Sequence, residues 1–188
     1  MADVNLSFEY TMDREDRTRS GKITPDPTAK DPKALARFGV NSAAHPELIQ
    51  QGFFGPVAEL GVEEMPNDEA LRAAENVYKY RYFSPAGGYE IEDQGVANKF
   101  VDLCFNEGSG QATELMQEAL KDVLPYLLPT LKTDGVPGPR TIAAINAAEP
   151  EQLLPALKAR AVKFYEDWAA KNNKPRQLLD ALIARVNS

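Results

Sequence analysis

Apolar residues recur at helical spacing along most of the chain, beginning near its first residues. Phe8, Met12 and Glu15 fall at positions i, i+4 and i+7, so an apolar helix face leads directly to a carboxylate. We therefore expect a first helix that ends close to Glu15, with this side chain partly buried.

The same periodicity marks a series of later helices. One begins after Pro66 and ends near residues 84–88, and the next runs to residues 106–110, where two glycines end it. In the second half, the expected inner faces are those of Leu115 and Ala119, Ile142 and Ile145, Leu153 and Leu157, and Leu178 and Leu182. Strand-like alternation is limited to residues 89–91. The pattern predicts an all-α fold.

Between the first helix and residue 41 the helical pattern is interrupted. Residues 17–21 have no apolar periodicity, and each proline at positions 25, 27 and 32 disfavours helix at the residue before it. Regular structure is expected again from the Phe38-Gly39 turn. Two carboxylates, Asp26 and Asp31, therefore belong to an irregular loop that follows Glu15.

Composition narrows the classes of function. The chain has 188 residues, which suits one domain, and a formal net charge of -7 with a pI near 4.9. This charge argues against nucleic acid as the main partner, because phosphate binding needs a basic surface. The apolar runs are too short to cross a bilayer, so we expect no membrane insertion. Residues 1–5 are acidic and polar, which predicts synthesis in the cytoplasm without a secretory signal peptide.

Cys104 and His45 are the only residues of their types, and neither pattern indicates catalysis. Cys104 follows an apolar helical pattern and is expected to be a core thiol. His45 is expected to cap or pack. No cluster of histidine, cysteine and carboxylates has the spacing of metal ligands, so we expect neither a catalytic metal nor a cofactor.

The carboxylates are better candidates for chemistry. Cleavage of a glycosidic bond needs a carboxylic acid to protonate the leaving oxygen, and a second carboxylate or an activated water at the sugar centre. Glu15 is the candidate acid, because a partly apolar setting raises the pKa of a glutamate towards neutrality. The candidate base or electrostatic partner is Asp31 or Asp26.

Two other interpretations of these residues stay open. Glu15 and Asp16 also fit a solvated helix end, where carboxylates pair with the arginines at positions 14, 17 and 19. Glu9 is a rival acid on the same helix, although it lies a turn or more from the loop.

The second half of the chain carries patterns that together resemble one known family. They are Asp102, Asn106, Gly108 and Gln117 of one helical region, the string Asp134-Gly135-Val136-Pro137-Gly138-Pro139-Arg140-Thr141, and the pairs Tyr82-Phe83 and Arg160 with Tyr165. This combination resembles the glycoside hydrolase family 108 muramidases, which include proteins labelled secretion activators and phage endolysins. The resemblance extends over nearly the whole chain and is most specific in the C-terminal half.

In that family the catalytic glutamate ends the first helix in a Glu-Gly-Gly-Tyr motif, and an Asp-Pro-Gly-Gly-x-Thr loop follows. Glu15 is similar in position, but the two glycines are missing after it and the loop is longer. Asp31 matches the aspartate of the loop, whereas Ala36 stands where the family has threonine. The threonine hydroxyl that would help to orient water is therefore absent.

The resemblance implies a single lysozyme-like helical domain. Its catalytic part would be residues 1–93, packed against a helical, predicted peptidoglycan-binding part at residues 94–188. Glu15 would act with Asp31 or Asp26, and Asn41, Asn106 and Tyr82 are expected to contact the substrate. Asn106 also fits a helix brace, and Tyr82 fits a core position.

The implied activity is that of a muramidase, which cleaves the β-1,4 bond between N-acetylmuramic acid and N-acetylglucosamine. The expected partner is the peptidoglycan glycan strand, reached in the periplasm or at the cell wall through a holin, a secretion machinery or lysis. An alternative is a non-catalytic cell-wall-binding or secretion-associated protein on the same fold. A third interpretation, a helical interaction module without a glycan ligand, fits the acidic composition, because anionic cell walls do not attract an acidic protein.

Overall fold

The structure is a computed structural model that describes residues 1–26, 31–127 and 130–188, with Leu127 described by its backbone alone. The chain forms two compact units. The N-terminal unit is Phe8–Arg81, and the C-terminal unit consists of Met1–Ser7 and Tyr82–Ser188.

Helices dominate the described residues, as the apolar periodicity predicts. The α-helices are α1 (Val4–Glu15), α2 (Asn67–Val77), α3 (Gln94–Glu107), α4 (Ser109–Val123), α5 (Pro139–Ala147), α6 (Pro150–Lys171) and α7 (Arg176–Asn187). Shorter 3-10 helices are Pro46–Gln51, Ala58–Leu60, Gly88–Glu90 and Pro125–Leu127, and a π-helical stretch is Tyr78–Phe83. The predicted all-α fold class is confirmed, with one small sheet added.

That sheet lies in the N-terminal unit and was not predicted. Its strands are β1 (Thr24–Pro25), β2 (Leu35–Arg37) and β3 (Val40–Asn41), antiparallel in the order β1-β2-β3. The expectation that strand structure is confined to residues 89–91 is wrong, because Gly88–Glu90 is a 3-10 helix. Strands of two or three residues are too short to show a period of two.

The core of the N-terminal unit gathers apolar side chains from α1 and from the chain that follows α2. Phe8 and Met12 are buried on α1, as their spacing predicts. The ring of Tyr78 meets Phe8 edge to face, with centroids 5.6 Å apart, and the Thr11 hydroxyl donates to the Tyr78 oxygen at 3.4 Å. These contacts fix the last turns of α1.

A buried arginine holds the loops of the N-terminal unit together. Arg37, only 3% exposed, donates from Nε to the carbonyl of Gly21 at 2.9 Å. Its Nη1 donates to the carbonyls of Phe53 and Met65, both at 3.0 Å. Burial lowers the pKa of Arg37, and the Glu64 carboxylate, 3.7 Å from Nη2, offsets part of that shift. One side chain thus satisfies three carbonyls from three separate loops.

Replacing Arg37 with Met should destabilise the N-terminal unit, because three inward carbonyls lose their donor. We expect the free energy of unfolding to fall by about 3 kcal/mol or more. Hydrogen exchange measured peptide by peptide checks this, with faster exchange expected across residues 16–25 and 52–67. Peptides from α4 and α6 serve as the internal control. Unchanged protection near Gly21 and Met65 in the variant would contradict the assignment.

The C-terminal unit is a helical assembly in which α4 packs against α3 and α6, and α6 packs against α7. The predicted inner faces are confirmed for α4, α5 and α6, where the buried residues include Leu115, Ala119, Ile142, Ile145, Leu153 and Leu157. On α7, Leu178 and Leu182 are half-buried and Val186 is buried. Across the described ranges, no helix has the length and apolar character needed to span a membrane.

Charged side chains join α3 to α6 and α7 inside this unit. Asp102, fully buried, pairs with Arg185 at 2.8 Å, and Lys99 donates to the Arg185 carbonyl at 3.3 Å. The Tyr165 hydroxyl donates to the Glu107 carboxylate. Burial raises the pKa of Glu107, although the Tyr165 hydrogen bond and the nearby Arg185 act in the opposite direction.

The raised pKa of Glu107 predicts a pH-dependent stability. The folded protein binds the proton of the Glu107 carboxyl more tightly than the unfolded chain does. The stabilisation that results is fully present below pH 4.5 and is lost as pH rises through the pKa of Glu107 in the folded protein. Glu107→Gln keeps an acceptor for Tyr165 and cannot ionise, so this loss, at most about 1.4 kcal/mol per pH unit, should disappear. Urea unfolding from pH 4 to 8 measures it. Parallel profiles for wild type and variant would refute the assignment, and Tyr165→Phe should enlarge the loss.

Candidate functional site

The candidate acid lies where the sequence places it, at the C-terminal end of α1. Glu15 is the last residue of that helix and is half-buried. Phe8 and Met12, on the same helix, are buried in the core of the N-terminal unit. Core packing therefore fixes the helix that carries the Glu15 carboxylate.

Asp16 closes the turn that follows Glu15. Its carboxylate accepts hydrogen bonds from the Gly21 N–H at 2.7 Å, the Ser20 hydroxyl at 3.0 Å and the Thr18 hydroxyl at 3.1 Å. Burial of Asp16 acts to raise its pKa, but the hydrogen bonds from Ser20, Gly21 and Thr18 outweigh it, and the pKa is lowered. Asp16 is therefore an ionised brace of the loop.

Arg19 ties the same loop back onto α1. It adopts a φ of 52°, and its guanidinium pairs with the carboxylate of Glu9 and with that of Asp13 at 3.0 Å. It also donates to the Asp16 carbonyl at 3.0 Å. The rival acid Glu9 is thus a 61% exposed partner of a loop arginine, which weakens its case for catalysis.

Gly21 is the point where this loop meets the rest of the unit. Its φ is +61°, and a Cβ placed there would lie 1.6 Å from Oδ1 of Asn67 and 2.7 Å from the Phe38 ring. Its carbonyl accepts from Arg37, and Asn67 donates to the Arg19 carbonyl at 3.1 Å. The segment predicted to be irregular is therefore held at several points.

A cleft of about 500 Å³ lies beside this loop. Its described lining includes residues 20–23, Arg37 and residues 64–67. Glu15, Asp26 and Asp31 are not among these lining residues.

Of the two candidate partner carboxylates, Asp26 contacts another predicted site residue. It follows β1, is half-buried, and accepts a hydrogen bond from Nδ2 of Asn41. The Asn41 oxygen accepts the N–H groups of Ala43 at 2.7 Å and Ala44 at 3.3 Å, which fixes the amide with its donor towards Asp26. The structure thus joins two of the predicted site residues, Asp26 and Asn41, which are 15 residues apart.

Asp31 is exposed and occupies its own turn. Its carboxylate accepts the Lys33 N–H at 2.9 Å, and its carbonyl accepts the Ala34 N–H at 3.0 Å. These are the contacts of a turn-forming aspartate. Part of the predicted loop, residues 27–30, lies outside the described residues.

The remaining predicted contact residues, Tyr82 and Asn106, belong to the C-terminal unit. Tyr82 packs edge to face on Phe105, with centroids 4.9 Å apart. Asn106 donates to the Asp102 carbonyl at 2.7 Å, one turn back in α3, as in the helix brace that the sequence allows. Their contact with a substrate stays a prediction.

The only histidine and the only cysteine of the sequence, His45 and Cys104, are both buried. His45 is buried, with Nδ1 3.4 Å from the Glu47 carboxylate, and burial lowers its pKa despite that neighbour. Cys104 is fully buried, and burial raises the pKa of its thiol, so it is a core thiol as expected. Across the described ranges, no group of three or more histidines, cysteines or carboxylates is arranged to hold a metal ion.

The sequence does not identify the residues that order this region. Its pattern assigns Asp16 and Arg19 to a solvated helix end and does not single out Arg37. A signal existed for Asp16, because an aspartate followed by threonine, serine and glycine is typical of a side-chain-capped turn. For Arg37, the apolar neighbours at 36 and 38 were a hint of burial.

Part of the chain matches a known protein family. Residues 111–186 match the family described as a predicted peptidoglycan domain. The match begins within α4, extends into α7 and supports a peptidoglycan-associated function. Glu15, Asp26 and Asp31 lie outside it.

Comparison with solved structures shows the fold. The structure of Brucella abortus SagA is similar with a TM-score of 0.61, covering 97% of this chain and 92% of that chain. The two sequences are 16% identical, so the likeness establishes a shared fold. No curated protein matches the chain.

Proposed function

We propose that this protein is a peptidoglycan hydrolase of the N-acetylmuramidase type, acting without a cofactor on the glycan strand at the cell wall. The match of residues 111–186 to the predicted peptidoglycan domain carries the proposal, because it associates the C-terminal unit with this polymer. In this proposal residues 1–93 supply the chemistry and residues 94–188 bind the wall. Export through a holin or secretion machinery is part of the same proposal.

Glu15 is the proposed general acid. Its support is its place at the end of a helix anchored by Phe8 and Met12, half-shielded from water, beside a loop that Asp16 and Arg37 order. A proton donor must be held at a fixed point relative to the glycosidic oxygen, which such anchoring favours.

Asp26 is the proposed second carboxylate, ahead of Asp31. The amide of Asn41 orients it, and its side chain is half-buried, whereas Asp31 is exposed in a turn of its own. In the reaction Asp26 would stabilise the oxocarbenium-like centre or activate water, and Asn41 would set its position.

Replacing Glu15 with Gln should abolish wall digestion, because the amide keeps the shape of the side chain and cannot donate the acidic proton. We expect a loss of about 10² to 10⁴-fold in the rate of clearing of purified peptidoglycan, with new muramic acid reducing ends as the product measured. Glu9→Gln is the matched control on the same helix and should stay active. Full clearing by the Glu15 variant would exclude this residue as the acid.

Substitution by asparagine distinguishes the roles of Asp26 and Asp31. Asp26→Asn should lower the rate by about 10²-fold or more, since the amide keeps the Asn41 contact but lacks the negative charge. Asp31→Asn should leave at least half of the rate. Release of reducing ends from purified sacculi measures both, with thermal melting to verify folding. Loss confined to the Asp31 variant would reverse the assignment.

One alternative function has an observation in its favour. The family match covers residues 111–186 and excludes Glu15, while Asp16 and Ala36 depart from the motif of the resembled muramidases. A protein that binds peptidoglycan without cleaving it fits these facts. Co-sedimentation with insoluble peptidoglycan, together with absence of reducing ends from wild type, would select this alternative.

A further inference from the structure

Two adjoining cavities border α5 in the C-terminal unit, and we call them together the α5 groove. The first has a volume of about 270 Å³, and its described lining includes Tyr126, Leu131, Arg140, Ala143, Ala144 and Ala147. The second, about 440 Å³, is lined in part by Lys132, Asp134, Val136 and Arg140. Leu131 and Arg140 line both cavities, so the two adjoin.

A buried amide fixes the wall of the α5 groove. Gln117, 1% exposed, accepts the N–H groups of Asp134 at 2.9 Å and Gly135 at 3.1 Å. Its Nε2 donates to the Asp134 carboxylate at 2.9 Å and to the Val136 carbonyl at 3.1 Å. The hydrogen bonds from Gln117 and Val136 lower the pKa of Asp134, so this carboxylate is ionised and already engaged. The groove is therefore preformed.

The cationic groups of the groove are available to a ligand. Within the described ranges, Arg140 makes neither an ion pair nor a hydrogen bond through its guanidinium, and both it and Lys132 are exposed. Most other arginines of the chain pair with carboxylates, namely Arg19, Arg37, Arg72, Arg81, Arg160, Arg176 and Arg185. An uncommitted arginine beside a cavity is notable in a chain of net charge -7.

In the first cavity, the lining beside Arg140 is mostly apolar. Ala143, Ala144 and Ala147 contribute methyl groups to this lining, and Tyr126, 68% exposed, also lines the cavity. The first cavity accommodates small aliphatic groups, and the second cavity, lined in part by Lys132, Asp134 and Thr141, accommodates charged and polar ones. The chemistry therefore favours a ligand that combines a carboxylate with small apolar side chains.

We infer that the α5 groove binds the carboxylate-bearing stem peptide of peptidoglycan, with a carboxylate on Arg140 and an alanine side chain against Tyr126 and the α5 alanines. A guanidinium binds a carboxylate through two parallel hydrogen bonds, which fixes the orientation of the peptide. The inference rests on the proposed association with peptidoglycan and is independent of catalysis by Glu15.

The test measures binding of a soluble muramyl peptide and of an uncharged N-acetylglucosamine oligomer to the intact chain by calorimetry. Wild type should bind the muramyl peptide, more weakly as salt rises, whereas any binding of the uncharged oligomer should depend neither on salt nor on Arg140. Arg140→Gln should weaken binding about tenfold, the change expected for one charge-assisted pair, and Tyr126→Ala should also weaken it.

The control is Arg176→Gln, which removes the same charge from α7, where Arg176 pairs with Asp180 at 2.8 Å. It should bind like wild type. Absence of muramyl peptide binding by wild type, equal muramyl peptide binding by Arg140→Gln, or an equal loss of oligomer binding in Arg140→Gln would each overturn the inference. Glu15→Gln should bind normally. If wild type binds the muramyl peptide through Arg140 but releases no reducing ends, the catalytic proposal fails while this inference stands.

Discussion

The N-terminal unit depends on one buried cation. Arg37 reaches the carbonyls of Gly21, Phe53 and Met65, three points that are far apart in sequence. No other side chain type carries five donors in a flat, permanently charged group, so a single residue can close three loops that have little regular structure of their own. Desolvating that charge is costly, and the carbonyl dipoles with the Glu64 carboxylate offset the cost. Order in this unit is therefore electrostatic as much as hydrophobic.

This constraint explains how the chain leaves α1 without the paired glycines of the resembled muramidases. Glycines at a helix end permit positive φ. The missing glycines would be residues 16 and 17, and here Arg19 and Gly21 adopt positive φ instead, at 52° and 61°. The Asp16 carboxylate accepts a hydrogen bond from the Gly21 N–H, and Arg37 donates one to the Gly21 carbonyl. Side-chain hydrogen bonds of Asp16 and Arg37 thus take the place of the paired glycines in shaping the turn after α1. Glu15, the last residue of that helix, therefore keeps a defined position.

The sequence predicts the features that repeat and misses those that join distant residues. Periodicity is sufficient for α3 to α7, because the buried face of each helix recurs over several turns. The sheet escapes prediction because its strands are two or three residues long, and register pairs such as Thr24 with Ala36 define it. At the candidate site, spacing along α1 predicts that Glu15 ends the helix, whereas the proposed preference for Asp26 over Asp31 requires the contact with Asn41. That contact depends on the fold of the intervening loop.

The net charge of the chain is also a limited guide to what it binds. A net charge of -7 argues against attraction to an anionic wall at long range, but charges in solution act over about 8 Å at physiological salt. Within such a radius, what matters is the balance of the nearby charged side chains. In the described lining of the α5 groove, Lys132 and Arg140 face one carboxylate, that of Asp134, which stays ionised while Gln117 donates a hydrogen bond to it. An acidic protein can therefore present a locally cationic groove, and the net charge excludes fewer ligands than it first indicates.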